Sequence, residues 1–320
     1  MKMTGRKKLV GTALIVGAIA ICLILFLNRG GAPKVDRYQA IDGDTIKAHF
    51  SDGSSVLIRY AAVNAPGNRK THIQTLGKTA FEFNKELIEN AQHTGNLIVD
   101  LKPTDEGKKG EDRDNRRLAH VFVREERNVG DNAEVRLVAK GYARLDVREP
   151  NDKNIADGKD FDVRYAEDLI AAQIEAAMAR RGWWTEDDEY ADSDLIIAAI
   201  KQWSDDEIVY IINRGPEPIN LAAEWRLIDA SGSERNTLVL SDYLTDECFL
   251  PPGGLFRIHS GSVATGRGGE HTPFEESEVD FYWTGYEIWD QGGDIGTLYD
   301  PNTEDVVYSY TYPLKADYWK

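Results

Sequence analysis

The chain has 320 residues, of which 42% are hydrophobic and 10% aromatic, enough for about two packed domains and too apolar for a disordered polymer. Its net charge of −16 is segregated: residues 192–320 carry eight basic and twenty-four acidic groups, whereas residues 36–127 carry fifteen of each sign, so the distal part is a poor surface for a phosphate polymer and the neutral part a better one. Two cysteines, Cys22 and Cys248, lie far apart in sequence and exclude an internal disulfide framework.

In chain order, Lys2, Arg6, Lys7 and Lys8 precede nineteen uncharged positions, 9–27. As a helix that run spans about 28 Å, close to the hydrocarbon thickness of a bilayer. The basic stub predicts a cytoplasmic N-terminus and a single-pass anchor in the cell membrane, with everything beyond Asn28 extracellular. A cleaved signal peptide is the alternative, but the run ends in Leu-Phe-Leu-Asn, a poor cleavage site. Residues 28–35 read as a tether.

Residues 37–63 alternate as strand, turn (Ser51-Asp52-Gly53-Ser54) and returning strand from Ser55 to Val63. Ala80, Phe83, Leu87 and Ala91 are helically spaced within residues 75–91. Residues 96–102 and 118–124 are strand-like, residues 131–140 predict a short helix closed by Gly141, and residues 163–181 a long one with Leu169, Ile170, Ile174, Ala177 and Met178 on one side. The acidic run Glu186–Asp192 marks a boundary. Beyond it seven short strands are expected: Leu195–Ile200, Ile208–Asn213, Trp225–Asp229, Thr237–Leu240, Phe256–Ile258, Thr297–Tyr299 and Val306–Tyr310, the pattern of a β-sandwich.

Several segments of residues 36–188 resemble, in order, the staphylococcal nuclease family. Asp42-Gly43-Asp44-Thr45 resembles its D-G-D-T signature. Arg59 through Pro66 resembles R-L-x-x-[IV]-D-[AT]-P, Leu76–Ala80 its F-G-x-E-A helix start, Asp112–Ala119 its D-x-Y-G-R-x-L-A, and Leu137–Ala143 its L-[VI]-x-x-G-[YL]-A. The resemblance implies a five-stranded OB-type barrel with three helices, a scaffold suited to nucleic acids, and Ca²⁺-assisted hydrolysis of phosphodiesters in DNA or RNA. In that chemistry the metal neutralises charge, two arginines clamp phosphate and a glutamate activates water.

Carried over residue by residue, Arg59 and Arg116 match the clamping arginines, Asp44 a metal carboxylate and Asp42 its acidic neighbour. The second metal carboxylate falls on Asn64, and the backbone-carbonyl ligand on Ala65. The catalytic glutamate falls on Gly67. The nucleotide-stacking tyrosine falls on Asp114, which with Arg113 is a candidate substrate contact. The later tyrosine pair is missing from 144–151. Gln74, Glu82 or Glu111 offers a replacement base, with no spacing argument for any of them. An amide at Asn64 predicts weak Ca²⁺ binding. Whether the chain is an enzyme or a non-catalytic binding module at the cell surface stays open.

Residues 193–312 resemble the lamin tail domain, an immunoglobulin-like sandwich, through Glu207–Gly215, Trp225–Asp229, Leu250–Gly253 and Ile288–Asp300. Trp225 and Trp289 are expected in its core. The resemblance implies a surface or protein partner for this domain. The fold expected for the whole chain is a membrane anchor followed by two mainly β domains with some α.

Overall fold

The computed structural model describes residues 34–67, 74–101, 112, 114–124, 129–147, 164–185, 192–244, 248–274 and 276–312. The expected anchor at 9–27 and Arg113 lie outside these residues. No helix among the described residues is long and apolar enough to cross a membrane.

The described residues are mainly β, with three α-helices. Strands β1 (Val35–Asp42), β2 (Thr45–Phe50) and β3 (Ser55–Tyr60) form an antiparallel meander. Its second turn is set by Asp52, whose Oδ1 accepts from the Ser54 amide and hydroxyl, and by Gly53 at φ +83°. The returning strand is shorter than expected: Ala62, at φ +59°, turns the chain into the two-residue strand β4 (Val63–Asn64). Helix α1 (Gln74–Thr94) and β5 (Ile98–Leu101) lead to β6 (Arg117–Phe122), which pairs parallel with β3. The five-stranded sheet has the order β1-β2-β3-β6-β5 and curls as a half-barrel that fits an OB-fold. Helix α2 (Ala133–Ala139), capped by Asn132 through the Val135 amide, precedes β7 (Arg144–Leu145), which pairs with β4.

Helix α3 (Ala166–Met178) is buried almost all round, through Ala166, Leu169, Ile170, Ala172, Gln173, Ala176 and Ala177. One side meets the half-barrel. The other meets the next two strands, β8 (Leu195–Lys201) and β9 (Glu207–Asn213). Both are buried at nearly every position, so their residues Leu-Ile-Ile-Ala-Ala-Ile and Ile-Val-Tyr-Ile-Ile form continuous apolar runs, as strands covered on both faces do.

The remaining strands are β10 (Ile219–Asn220), β11 (Arg226–Ile228), β12 (Thr237–Val239), β13 (Phe249–Leu250), β14 (Leu255–Ser260), β15 (Glu278–Thr284), β16 (Asp294–Tyr299) and β17 (Val306–Tyr312). They give two four-stranded sheets, β15-β14-β9-β8 and β12-β11-β16-β17, and a small β10-β13 pair. Ile197, Ile211, Phe256 and Phe281 of the first sheet share a core with Leu227, Leu298 and Tyr308 of the second. Trp225 and Trp289 lie in that core, as expected. All seven expected strands are present, and β10, β13 and β15 are additional.

The apolar core runs through the domain boundary. Ala176, Ala177, Trp183 and Trp184 belong to the sandwich core, and Ala199, Ile208 and Tyr210 to that of the half-barrel. Ion pairs Lys201–Glu167 (2.9 Å) and Arg180–Asp194 (3.0 Å) rim the contact.

Candidate functional site

The motif residues meet at one end of the half-barrel, where the backbones crowd together. A Cβ on Gly43 would lie 2.7 Å from the Ala65 Cβ and 2.8 Å from the Ala80 Cβ, so the glycine of Asp-Gly-Asp-Thr is required by space. A Cβ on Gly77 would lie 2.3 Å from the Gly67 carbonyl oxygen. The first turns of α1 therefore rest directly on the Pro66–Gly67 backbone.

Asn84 pins this end from within α1. Fully buried, it donates from Nδ2 to the Asp42 carbonyl (2.8 Å) and accepts from the Tyr60 hydroxyl (2.6 Å). The ends of β1 and β3 are thus fixed to one amide. Sequence reasoning missed this residue, although a polar side chain on the apolar face of α1 was a readable signal.

Arg59, at the end of β3 and cross-strand from Thr45, points among oxygens. Its Nη2 lies 3.0 Å from Asn64 Oδ1, 3.1 Å from the Val63 carbonyl, 3.4 Å from Asp44 Oδ2 and 3.8 Å from Asp146 Oδ2. Burial pulls the pKa of the guanidinium down, but Asp44, Asp146 and Asp112 outweigh it and raise it above the ordinary value. Arg59 Nε is buried without an acceptor among the described residues.

Asp44 is 5% exposed. Its Oδ1 accepts from the Thr45 hydroxyl (2.8 Å), and its Oδ2 from the Ala65 amide (3.1 Å) as well as from Arg59. Asp42 Oδ1 accepts from the Gly43 amide. On the far side, Arg116 Nη1 donates to the Thr45 hydroxyl (3.3 Å). Asp112 holds Arg116 through Nε (2.7 Å) and Nη2 (2.6 Å). Burial pushes the Asp112 carboxyl up, yet the side-chain and backbone hydrogen bonds of Arg116 keep it below the usual range. Asp114, at the stacking-tyrosine position, is exposed and pairs with Arg116 at 3.2 Å.

The structure thus joins Arg59, Asp44, Thr45 and Arg116 in one hydrogen-bonded chain, with Asn64 and Ala65 beside it. It also adds a carboxylate that sequence reasoning missed, Asp146, just past β7 and 5% exposed. No signal marked it, since the resemblance drew attention there only to the missing tyrosines.

The donor set among the described residues is a poor one for Ca²⁺. Such an ion takes 6–8 oxygen ligands. Among the described residues no three His, Cys, Asp or Glu side chains converge as a metal cage, and the oxygens of Asp44 and Asn64 already face Arg59 and an amide. What the arrangement offers an anion is two planar guanidinium groups, each suited to bidentate pairing with phosphate oxygens.

In the sandwich, Glu207 is 1% exposed. It accepts from the Ser260 hydroxyl (2.8 Å), the Ile288 amide (2.7 Å) and the Trp289 amide (3.2 Å). It clamps the loop before β16 onto the sheet, which is a structural task.

Comparison with known families places two domains along the chain. The model described as Staphylococcal nuclease homologue matches residues 57–186, and the Lamin Tail Domain model matches residues 188–313. The first match includes Arg59, Asn64, Ala65, Gly67 and Arg116, whereas Asp42 and Asp44 precede it. A comparison with curated proteins found no match. The chain carries a domain of the staphylococcal nuclease family followed by a lamin tail domain.

Proposed function

We propose that the first domain grips the phosphate backbone of DNA or RNA between Arg59 and Arg116, on a nuclease scaffold whose water-activating machinery is depleted. The supporting observation is the chain from Arg59 through Asp44 and Thr45 to Arg116, which holds both guanidinium groups on one edge. Phosphate bound there would displace Asp114 from Arg116 and supply acceptors for donors that protein atoms leave in excess. Hydrolysis needs more. A general base is worth about 10²–10⁴ in rate, and its position is Gly67, without a side chain. A neutral Asn64 removes one charge from the family's metal set, which weakens Ca²⁺ binding there. Binding should outlast cutting.

Hydrolysis of the phosphodiester, with weak assistance from Ca²⁺, is the second reading. Retention of both arginines favours it, because charge developing on a pentacoordinate phosphorus is what such a clamp stabilises. In either case we place the chain on the cell membrane, with residues 9–27 as the span, the N-terminus cytoplasmic and both domains extracellular. The lamin tail domain is then available to a surface or protein partner.

The test uses the full chain in detergent and a fluorescent single-stranded DNA oligonucleotide, titrated from about 50 to about 200 mM salt. Affinity should fall with salt. The Arg59→Ala/Arg116→Ala variant should bind more weakly, with a log–log slope flatter by about 1.4, the equivalent of two phosphate contacts. Equal slopes, or no binding by the wild type, overturn the proposal. Cleavage assays with Ca²⁺ and with chelator separate the readings: Ca²⁺-dependent cutting that the variant loses establishes hydrolysis.

A further inference from the structure

We propose that the lamin tail domain is part of the phosphate site's scaffold, acting through Gln173 as a positioning residue. The consequence for nucleic-acid binding rests on the function proposed above. The positioning itself does not.

Gln173 lies at the middle of α3 and is fully buried. Its Oε1 accepts from the Leu145 amide (2.7 Å), and its Nε2 donates to the Ala198 carbonyl (2.6 Å) and to the Tyr310 hydroxyl (3.0 Å). The Leu145 amide can only donate and the Ala198 carbonyl can only accept, so the orientation of the Gln173 amide is fixed by its neighbours. One side chain of the nuclease-family domain thereby joins β7 of its own domain to β8 and β17 of the sandwich.

β7 is the strand that holds the site from behind. Leu145 pairs with Val63, and Arg144 with Asn64. The Asp146 amide donates to the Ala62 carbonyl at 2.8 Å, and its carboxylate lies 3.8 Å from Arg59. A second contact runs in parallel. The Arg144 guanidinium, 6% exposed, lies over the ring of Tyr310 at 4.3 Å and near those of Trp184 (5.3 Å) and Trp183 (5.5 Å). Tyr310 of the sandwich thus supports two consecutive residues of β7, one through Gln173 and one by direct stacking. Without them the two-residue pair β4–β7 would have little to hold it, since so short a ladder is marginal alone.

The experiment compares wild type, Gln173→Leu and Tyr310→Phe in the full chain, by amide hydrogen exchange and by oligonucleotide binding. Gln173→Leu keeps the bulk but removes all three hydrogen bonds. Exchange at residues 61–65 and 142–147 should accelerate about tenfold or more, while β9 and β14 keep their protection. Oligonucleotide affinity should fall with it. Unchanged exchange in both segments overturns the proposal, as does acceleration spread evenly over the chain. If Gln173→Leu does not fold, Tyr310→Phe decides: local acceleration at the two segments supports the proposal and its absence refutes it. Exchange needs no ligand. A wild type that binds no oligonucleotide but shows the exchange pattern sinks the proposed function and leaves the positioning intact.

Discussion

Replacing Glu207 by Gln should change both the stability of the chain and its dependence on pH. The carboxylate accepts three hydrogen bonds, from Ser260, Ile288 and Trp289. An amide keeps one oxygen but turns an NH₂ group toward a donor, leaving at least one buried donor unsatisfied at a cost of about 1–3 kcal/mol. For an assembly of this size that lowers Tm by roughly 2–12 °C. The pH effect has a definite sign. Burial raises the Glu207 carboxyl to about 7, against the pull of the Ile288, Ser260 and Trp289 hydrogen bonds, whereas the unfolded group titrates near 4.5. Between these values the native state holds the extra proton, so the stability it contributes is full below about 4.5 and is lost as pH rises through 7. One pKa unit is about 1.4 kcal/mol, so the loss is on the order of 3 kcal/mol. Thermal unfolding followed by circular dichroism between pH 4.5 and 8 measures it. Asp294, also raised by burial, slopes the same way in both proteins and cancels in the difference. The wild-type Tm should fall over that range more steeply than the variant's. Parallel curves would show that Glu207 is not the buried acid described here.

Gly141 has φ +69°, and a Cβ there would lie 2.1 Å from the Arg181 carbonyl oxygen. Gly141→Ala should cost more than about 2 kcal/mol, above the usual left-handed penalty; a loss below half of that in chemical denaturation contradicts the close approach. Asn84→Ala removes the acceptor of the Tyr60 hydroxyl and a donor to the Asp42 carbonyl, and should lower stability by about 2 kcal/mol. It should also weaken oligonucleotide binding, whereas an unchanged affinity would detach Asn84 from the site. Asp114→Tyr exchanges a competitor for Arg116 for a stacking ring, and should strengthen single-stranded DNA binding by about 1–3 kcal/mol in anisotropy titrations. Weaker binding would mean that this position does not face the nucleotide.

Much of the fold was legible because its signals are local. The Ser51–Ser54 turn, the helical spacing in α1 and the apolar runs of β8 and β9 each fix an element by themselves. The D-G-D-T segment and the two arginines marked the candidate site for the same reason. β15 was missed although Val279, Phe281 and Trp283 alternate with Glu278, Asp280 and Tyr282. Its parallel pairing with β14 needs a crossover, so no hairpin turn announced it. Asp146 was not legible as a site residue, and Asn84 was legible only as a polar residue on an apolar helix face. Their meaning lies in distances to Arg59 and Asp42, set by strand pairing and helix docking far along the chain. The continuity of the core was half legible. Runs as apolar as Leu195–Ile200 indicate cover on both faces, but not that the cover is α3.

The acidic sandwich adjoins a domain that is to hold a polyanion, and the two properties are compatible because they act over different distances. At physiological salt the Debye length is about 8 Å, so exposed carboxylates farther than that from Arg59 and Arg116 are largely screened. A phosphate in the clamp meets the guanidinium groups within hydrogen-bond reach, where screening is weak. Among the described residues the carboxylates paired with the clamp are Asp44 and Asp146 at Arg59 and Asp112 and Asp114 at Arg116. All four belong to the nuclease-family domain. The route proposed for the sandwich is therefore stiffness, through its contacts with the strand behind the site. It supplies a carbonyl and a tyrosine to Gln173 and a ring to Arg144, and these fix the strand from which Asp146 approaches Arg59.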